Sequence, residues 1–155
     1  MMTNLSCNVI KKLSGKTLVT AESCTGGGIG SALTSVPGSS NVLKGGIISY
    51  TNWVKIHVLG VNEELIKRYG AVSEQVAEEM AIGVRRVLCA DISVSVTGLA
   101  GPGGDEYGNS VGTVFVGYCD NKKRFSKKFL FSGDREDVRE QAICAALKII
   151  IQENS

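Results

Sequence analysis

The chain has 155 residues, 43% hydrophobic, 21% charged and 6% aromatic, which is the balance of a globular chain and excludes a disordered or fibrous one. Seventeen Lys plus Arg against fifteen Asp plus Glu leave too small a net charge for a dedicated nucleic-acid or membrane-surface binder. The five cysteines, Cys7, Cys24, Cys89, Cys119 and Cys144, form no Cys-x-x-Cys pair, which argues against a zinc ribbon or disulfide framework; with no apolar run of signal-peptide or membrane length, a cytoplasmic location is expected.

Thr17-Leu-Val-Thr-Ala21 reads as a buried strand, followed at once by Glu22-Ser-Cys-Thr-Gly-Gly-Gly28 and a helical stretch to Thr34, so a strand, a tight turn and a helix are predicted there. Gly46 to Tyr50 is a second strand and Val54 to Leu59 a short helix. Ser73 is placed to cap a helix in which Val76, Met80, Val84, Val87 and Leu88 recur at helical spacing through Cys89. Asp91 to Thr97 alternates apolar and small polar residues as a strand does. Val111–Cys119 and Arg124–Phe131 form a hairpin around Asp120–Lys123. Asp134 caps a last helix whose inward stripe is Val138, Ile143, Leu147 and Ile150. Alternating elements plus a hairpin predict an α/β fold with a mixed sheet, and the absence of repeats or linkers predicts a single domain over residues 1–155. The 19 glycines gather at Gly26–Gly30, Gly45–Gly46 and Gly98–Gly108, where they read as either binding loops or tight turns.

Ser23, on a strand-to-helix turn with Thr25, Gly26 and Gly27 following, sits beside unpaired N–H groups at the positive end of a helix dipole. Those donors suit an oxyanion or a phosphate, although a lone serine on such a turn is more often only a helix cap. A serine nucleophile needs a base. The single histidine, His57, lies in an apolar run and fits packing better than catalysis. Lys55, just downstream of Tyr50 and Asn52, falls near the C-terminal edge of a strand, where α/β sheets concentrate ligand chemistry. A lysine acts as a base only when neutral, which requires burial to depress its pKa; taken alone, Lys55 reads as an ordinary solvated lysine. Tyr50 is suited to passing a proton between Ser23 and Lys55 or to orienting one of them. The loop Thr97-Gly-Leu-Ala-Gly-Pro-Gly-Gly104 matches neither a Walker A loop nor a dinucleotide fingerprint and reads as a ligand-lining wall. Arg135 and Arg139 are placed to pair with a phosphate, or form an ordinary exposed charge pattern.

Taken together, Ala21-Glu-Ser-Cys-Thr-Gly-Gly27, Tyr50-Thr-Asn-Trp-Val-Lys55, Leu59-Gly-Val61, Gly70-Ala-Val-Ser73, Thr97-Gly-Leu-Ala-Gly-Pro102, Val111-Gly-Thr-Val114 and Gly133-Asp-Arg135 closely resemble the CinA C-terminal domain family, in order, over about Ile10 to Ile150. The resemblance implies an α/β/α sandwich, a homo-oligomer, and a stand-alone nicotinamide-nucleotide amidohydrolase that converts nicotinamide mononucleotide to nicotinate mononucleotide and ammonia. It implies catalytic roles for Ser23, Tyr50 and Lys55 and nucleotide-binding roles for Gly26, Gly27, Thr97, Gly98, Gly101 and Arg135. No metal or cofactor is implied, and the expected partner is a small nucleotide rather than nucleic acid or membrane. The competing reading is a non-catalytic nucleotide- or partner-binding module of the same fold. Two departures stand out: Asn109-Ser110 replaces a common Lys-Pro, with Asp105-Glu106 just before it, and Trp53 replaces a usually acidic residue.

Overall fold

Five strands form the central layer. The computed structural model describes all residues from Met1 to Ser155. In chain order the elements are α1 (Met2–Lys12), β1 (Leu18–Glu22), α2 (Gly28–Thr34), β2 (Leu43–Ile48), α3 (Asn52–His57), α4 (Glu63–Tyr69), α5 (Glu74–Val87), β3 (Ile92–Gly98), β4 (Thr113–Cys119), β5 (Arg124–Leu130) and α6 (Arg135–Glu153). The sheet runs β2-β1-β3-β4-β5, with β1 parallel to both neighbours and β4 antiparallel to β3 and β5. The predicted α/β fold with a mixed sheet is therefore the observed one.

The period-2 alternation of the strands sorts the two faces. Leu18, Ile92, Val94, Val96, Val114 and Val116 pack with Val9 and Leu13 of α1, Ile29 and Leu33 of α2, and Ile143, Leu147 and Ile150 of α6. On the opposite face Val19 and Ala21 meet Val76, Met80 and Val84 of α5, with Ile66 of α4 beside them. The small polar residues of β3 face α5 and are buried. Ser93 Oγ donates to the Ala81 carbonyl, Ser95 Oγ to that of Ala77, and Thr97 Oγ1 to that of Ala71. Short hydroxyls satisfied by carbonyls of α5 and of the segment just before it let α5 lie close to the sheet without stranding polar atoms. Gly117 serves the same approach, since a Cβ there would land on the Ala77 carbonyl and the Ser95 hydroxyl.

Several elements differ from the sequence expectation. Helices α1 and α4 were not anticipated, and β2 begins and ends earlier than Gly46–Tyr50, so Ser49 and Tyr50 leave the sheet. Gly45 and Gly46 form neither a binding loop nor a turn. They lie inside β2, where a Cβ on Gly46 would collide with Thr20 Oγ1 on the adjacent strand. Asp134 caps α6 with a reciprocal capping box to Asp137. No helix is long and apolar enough to cross a membrane.

Candidate active site

The parallel strands β1 and β2 end on the same side of the sheet as the C-terminal end of β3, and Ser23 follows β1 directly. Its N–H donates to the Val96 carbonyl of β3, fixing the start of the turn. Ser23 is buried, with 8% of its surface exposed. Lys55 reaches it from α3. Thr51 caps that short helix by accepting from the Val54 N–H, and because helical side chains lean towards the N-terminus, Lys55 points back to the chain leaving β2. The lysine thus lies one turn into a helix, not at the strand edge where the sequence placed it.

Lys55 is 1% exposed, and its Nζ stands 3.0 Å from Ser23 Oγ, 2.8 Å from the Ser49 carbonyl oxygen and 3.4 Å from that of Tyr50. None of the three salt bridges in the protein includes it. Burial without a carboxylate partner penalises the ammonium form and lowers the pKa of Lys55 to about 8. A neutral amine has two hydrogens and one lone pair. As the ammonium, Lys55 donates to Ser23 Oγ and to both carbonyl oxygens; once it loses a proton, the carbonyls can keep the two remaining hydrogens and the lone pair can face the Ser23 hydroxyl, which would be the arrangement of a base and its nucleophile.

A cavity of about 320 Å³ opens onto this pair and is lined by Ser23, Tyr50, Lys55, Thr97, Gly98, Gly101 and Arg135, together with Asn52 and Cys24. The structure therefore brings seven of the nine sequence-predicted site residues to one cavity. Tyr50 lines it through an exposed side chain whose hydroxyl accepts from Arg135 at 3.4 Å; the other arm of Arg135 donates to the Gly101 carbonyl at 2.6 Å. Because Lys55 meets Ser23 directly, the phenol of Tyr50 lies at the ligand side of the cavity rather than between them. Thr97 is buried, and its hydroxyl is bound to the Ala71 carbonyl.

Gly26 and Gly27 do not line the cavity. Gly27, in the left-handed region at φ 99°, is the N-cap of α2, and the Gly26 N–H donates back to the Ser23 carbonyl. The Ile29 and Gly30 amides of the first turn of α2 are already engaged. The buried carboxylate of Glu22 accepts from Ile29 N at 2.8 Å and Gly30 N at 3.0 Å, and from the hydroxyls of Thr25 and Thr20. By contrast, the N–H groups of Cys24 and Thr25 donate to no protein acceptor, and Cys24 is the residue after the candidate nucleophile.

Arg139, read from sequence as a possible phosphate ligand, wraps the same turn instead: Nε donates to the Cys24 carbonyl at 3.0 Å and a terminal nitrogen to that of Thr25 at 3.2 Å. Glu22 is the residue that sequence reasoning did not assign; a carboxylate closing a strand before a glycine-rich helix start was the available signal for it. His57 stacks on Trp53 with ring centroids 4.4 Å apart and bonds through Nδ1 to the Trp53 carbonyl, so it serves no triad. Burial pushes the Cys24 thiol up to about 11, leaving it protonated at neutral pH. In the loop after β3, burial opposes ionisation of Asp105, but hydrogen bonds from Asn109 and the Tyr107 amide outweigh it and hold its carboxyl below the ordinary range. That charge is turned into its own loop, and Asn109 also donates to the Val72 carbonyl. A wider groove of about 790 Å³ between β5 and α6 contains none of these groups. No group of three or more His, Cys, Asp or Glu residues is arranged to hold a metal ion.

The fold and cavity define an α/β domain with a buried serine–lysine pair at the carboxyl ends of its parallel strands. The chain belongs to the CinA C-terminal domain family, whose model matches residues 2–154. It is 48% identical over 141 residues to a CinA-like protein of Rippkaea orientalis, covering 89% of this chain and 34% of that protein. It is 49% identical over 135 residues to a CinA-like protein of a Sulfurihydrogenibium species, covering 87% and 34%. The chain thus spans about a third of the length of these relatives. Among solved structures, the competence or damage-inducible protein from Enterobacter asburiae superposes with a TM-score of 0.97 at 35% identity, covering 100% of this chain and 99% of that one. The corresponding values for a competence/damage inducible protein from Agrobacterium tumefaciens are 0.95, 35%, 99% and 96%.

Proposed function

We propose that the protein is an amidohydrolase that deamidates nicotinamide mononucleotide through a covalent intermediate on Ser23. The observation that supports this most directly is the 3.0 Å approach of Lys55 Nζ to Ser23 Oγ in a buried setting that makes the ammonium easier to deprotonate than in water. Lys55 takes the hydroxyl proton as Oγ bonds to the carboxamide carbon, and the carbonyl π pair moves onto oxygen. The free N–H of Cys24 is the donor proposed for that oxyanion, since the amides of α2 are occupied by Glu22. Collapse of the intermediate breaks the C–N bond. The proton held by Lys55 goes to the departing nitrogen, and ammonia leaves behind a nicotinoyl ester on Ser23. Water then attacks the ester, with Lys55 accepting its proton and returning one to Ser23 as nicotinate mononucleotide departs.

In this reading Arg135 neutralises the phosphate of the nucleotide and Tyr50, held by that guanidinium, orients the pyridine carboxamide. The glycine loop after β3 forms the wall, where side chains would narrow the cavity. The test is ammonia release from nicotinamide mononucleotide by the wild type and by Ser23→Ala. Release by the wild type alone is expected; equal release by the two would remove the serine mechanism, and none from either would leave the nucleotide-binding role in its place.

A further inference from the structure

Five residues, Ser23 to Gly27, connect the end of β1 to the start of α2, and this turn carries both the Ser23 hydroxyl and the free Cys24 N–H. A connection so rich in glycine has many conformations open to it. Two charged side chains outside the cavity limit them. Glu22 lies on the side of β1 facing α2, is 2% exposed, and uses both carboxylate oxygens: one accepts from Thr25 Oγ1 at 2.7 Å and Ile29 N at 2.8 Å, the other from Gly30 N at 3.0 Å and Thr20 Oγ1 at 3.2 Å. It therefore ties the strand before the turn to the middle of the turn and to the helix after it. Arg139 grips the outward carbonyls of Cys24 and Thr25 from α6, on which Val138 and Ala142 are anchored in the core. The main chain of Glu22 also accepts the Ser49 N–H at 2.8 Å, and the Ser49 carbonyl is the principal acceptor for Lys55.

We propose that Glu22 and Arg139 are positioning residues that brace the Ser23 turn from its two sides and so set the reactivity of the serine without contacting substrate. The inference rests on the reading of Ser23 as a nucleophile and adds to it how the nucleophile is held. Arg139 points its donors at peptide carbonyls, which fixes the Cys24 and Thr25 peptide planes. The Thr25 N–H shares a braced plane with the Cys24 carbonyl and points from its opposite edge, and the Cys24 N–H belongs to the plane just before it; neither N–H is itself occupied. Glu22 supplies the matching restraint on the helix side. Its replacement by Gln keeps the shape but puts an NH2 group against donors, so part of the tether is lost.

The experiment uses the full chain and three variants, Arg139→Met, Arg139→Lys and Glu22→Gln, each first checked for a wild-type circular dichroism spectrum. The first readout is the rate at which an alkyl fluorophosphonate labels Ser23 with loss of fluoride, located by peptide mass spectrometry. The second is amide hydrogen exchange across Ser23–Gly30. A misplaced nucleophile loses roughly tenfold to a hundredfold in rate, so Arg139→Met is expected to slow labelling by about that factor while exchange in the turn rises and that of β3 does not. Arg139→Lys, which keeps one donor, should recover part of the loss. Where the enzyme turns over nicotinamide mononucleotide, kcat should fall with KM within about twofold of the wild type.

Labelling at the wild-type rate in both Arg139→Met and Glu22→Gln overturns the proposal, as does a rise in KM with kcat unchanged, which would make Arg139 a ligand group. Should Glu22→Gln fail to fold, Arg139→Met alone decides, because its side chain is only half-buried. A wild-type protein whose Ser23 takes up no probe overturns the nucleophile reading and this inference with it, whereas a labelled wild type with unaffected variants overturns this inference alone.

Discussion

The protonation state of Lys55 sets a pH dependence that can be worked from the structure. In water a lysine titrates near 10.4; enclosed on all sides with no carboxylate partner, Lys55 titrates at about 8. The displacement corresponds to about 3 kcal/mol of preferential destabilisation of the cation. At pH 7 about one molecule in ten then carries the free amine, against about one in 2,500 for a solvated lysine. Since the base form reacts, kcat/KM should rise with pH, increasing about tenfold between pH 7 and pH 9 and levelling off above the pKa of about 8. Initial rates of ammonia release from nicotinamide mononucleotide, measured well below KM, report this free-enzyme titration. Lys55→Arg keeps the charge but cannot lose a proton near neutrality, and should lose about a hundredfold or more at every pH. A profile that is flat or falling from pH 7 to 9, or an active Lys55→Arg variant, refutes the assignment of Lys55 as base.

Ser23→Ala is expected to lower turnover on the order of a thousandfold or more while calorimetric affinity for the nucleotide stays within a few-fold, because the cavity otherwise keeps its walls. Arg135→Ala should act mainly on affinity, raising KM roughly tenfold or more for loss of a charged hydrogen bond, with a smaller effect on nicotinamide riboside, which lacks the phosphate. Gly117→Ala drives a methyl group into the main chain of α5 and should cost about 1–3 kcal/mol in denaturant unfolding. Asn109→Ala removes the tie between the glycine loop and the Val72 carbonyl and is expected to raise KM more than it alters kcat.

The sheet and its hairpin were legible because their signals are local. Alternation in Asp91–Thr97 and the turn formers of Asp120–Lys123 depend on neighbours in sequence, and the structure agrees with both. Helix α4 carries its own markers, an Asn62 cap, acids at its start, bases at its end and a closing Gly70, but it is only seven residues long and too short for a helical period to stand out. Helix α1 has no side-chain cap and no acid in its first turn, so little in the sequence announces it. Gly45 and Gly46 misled because a glycine demanded by a neighbouring strand looks the same in sequence as one demanded by a turn. The pairing of Ser23 with Lys55, 32 residues apart, could be suspected from residue type and the family resemblance, but the 3.0 Å contact depends on how the chain leaving β2 turns into α3 and returns Lys55 to the Ser49 and Tyr50 carbonyls. At the helix start that Gly26 and Gly27 open, the Glu22 carboxylate takes the Ile29 and Gly30 amides, and competition of that kind does not show in a motif.

That competition has a consequence for recognition. The first corner of the fold looks like an anion cradle, yet it is plugged by a carboxylate tethered one residue before the serine, present at an effective concentration no dissolved phosphate can match. A charged ligand must instead be met by the solvent-facing guanidinium across the cavity, where ions in the medium screen the attraction. Capture of the nucleotide should accordingly weaken as salt is raised, while the chemistry at the shielded hydroxyl and amine proceeds at an unchanged pace.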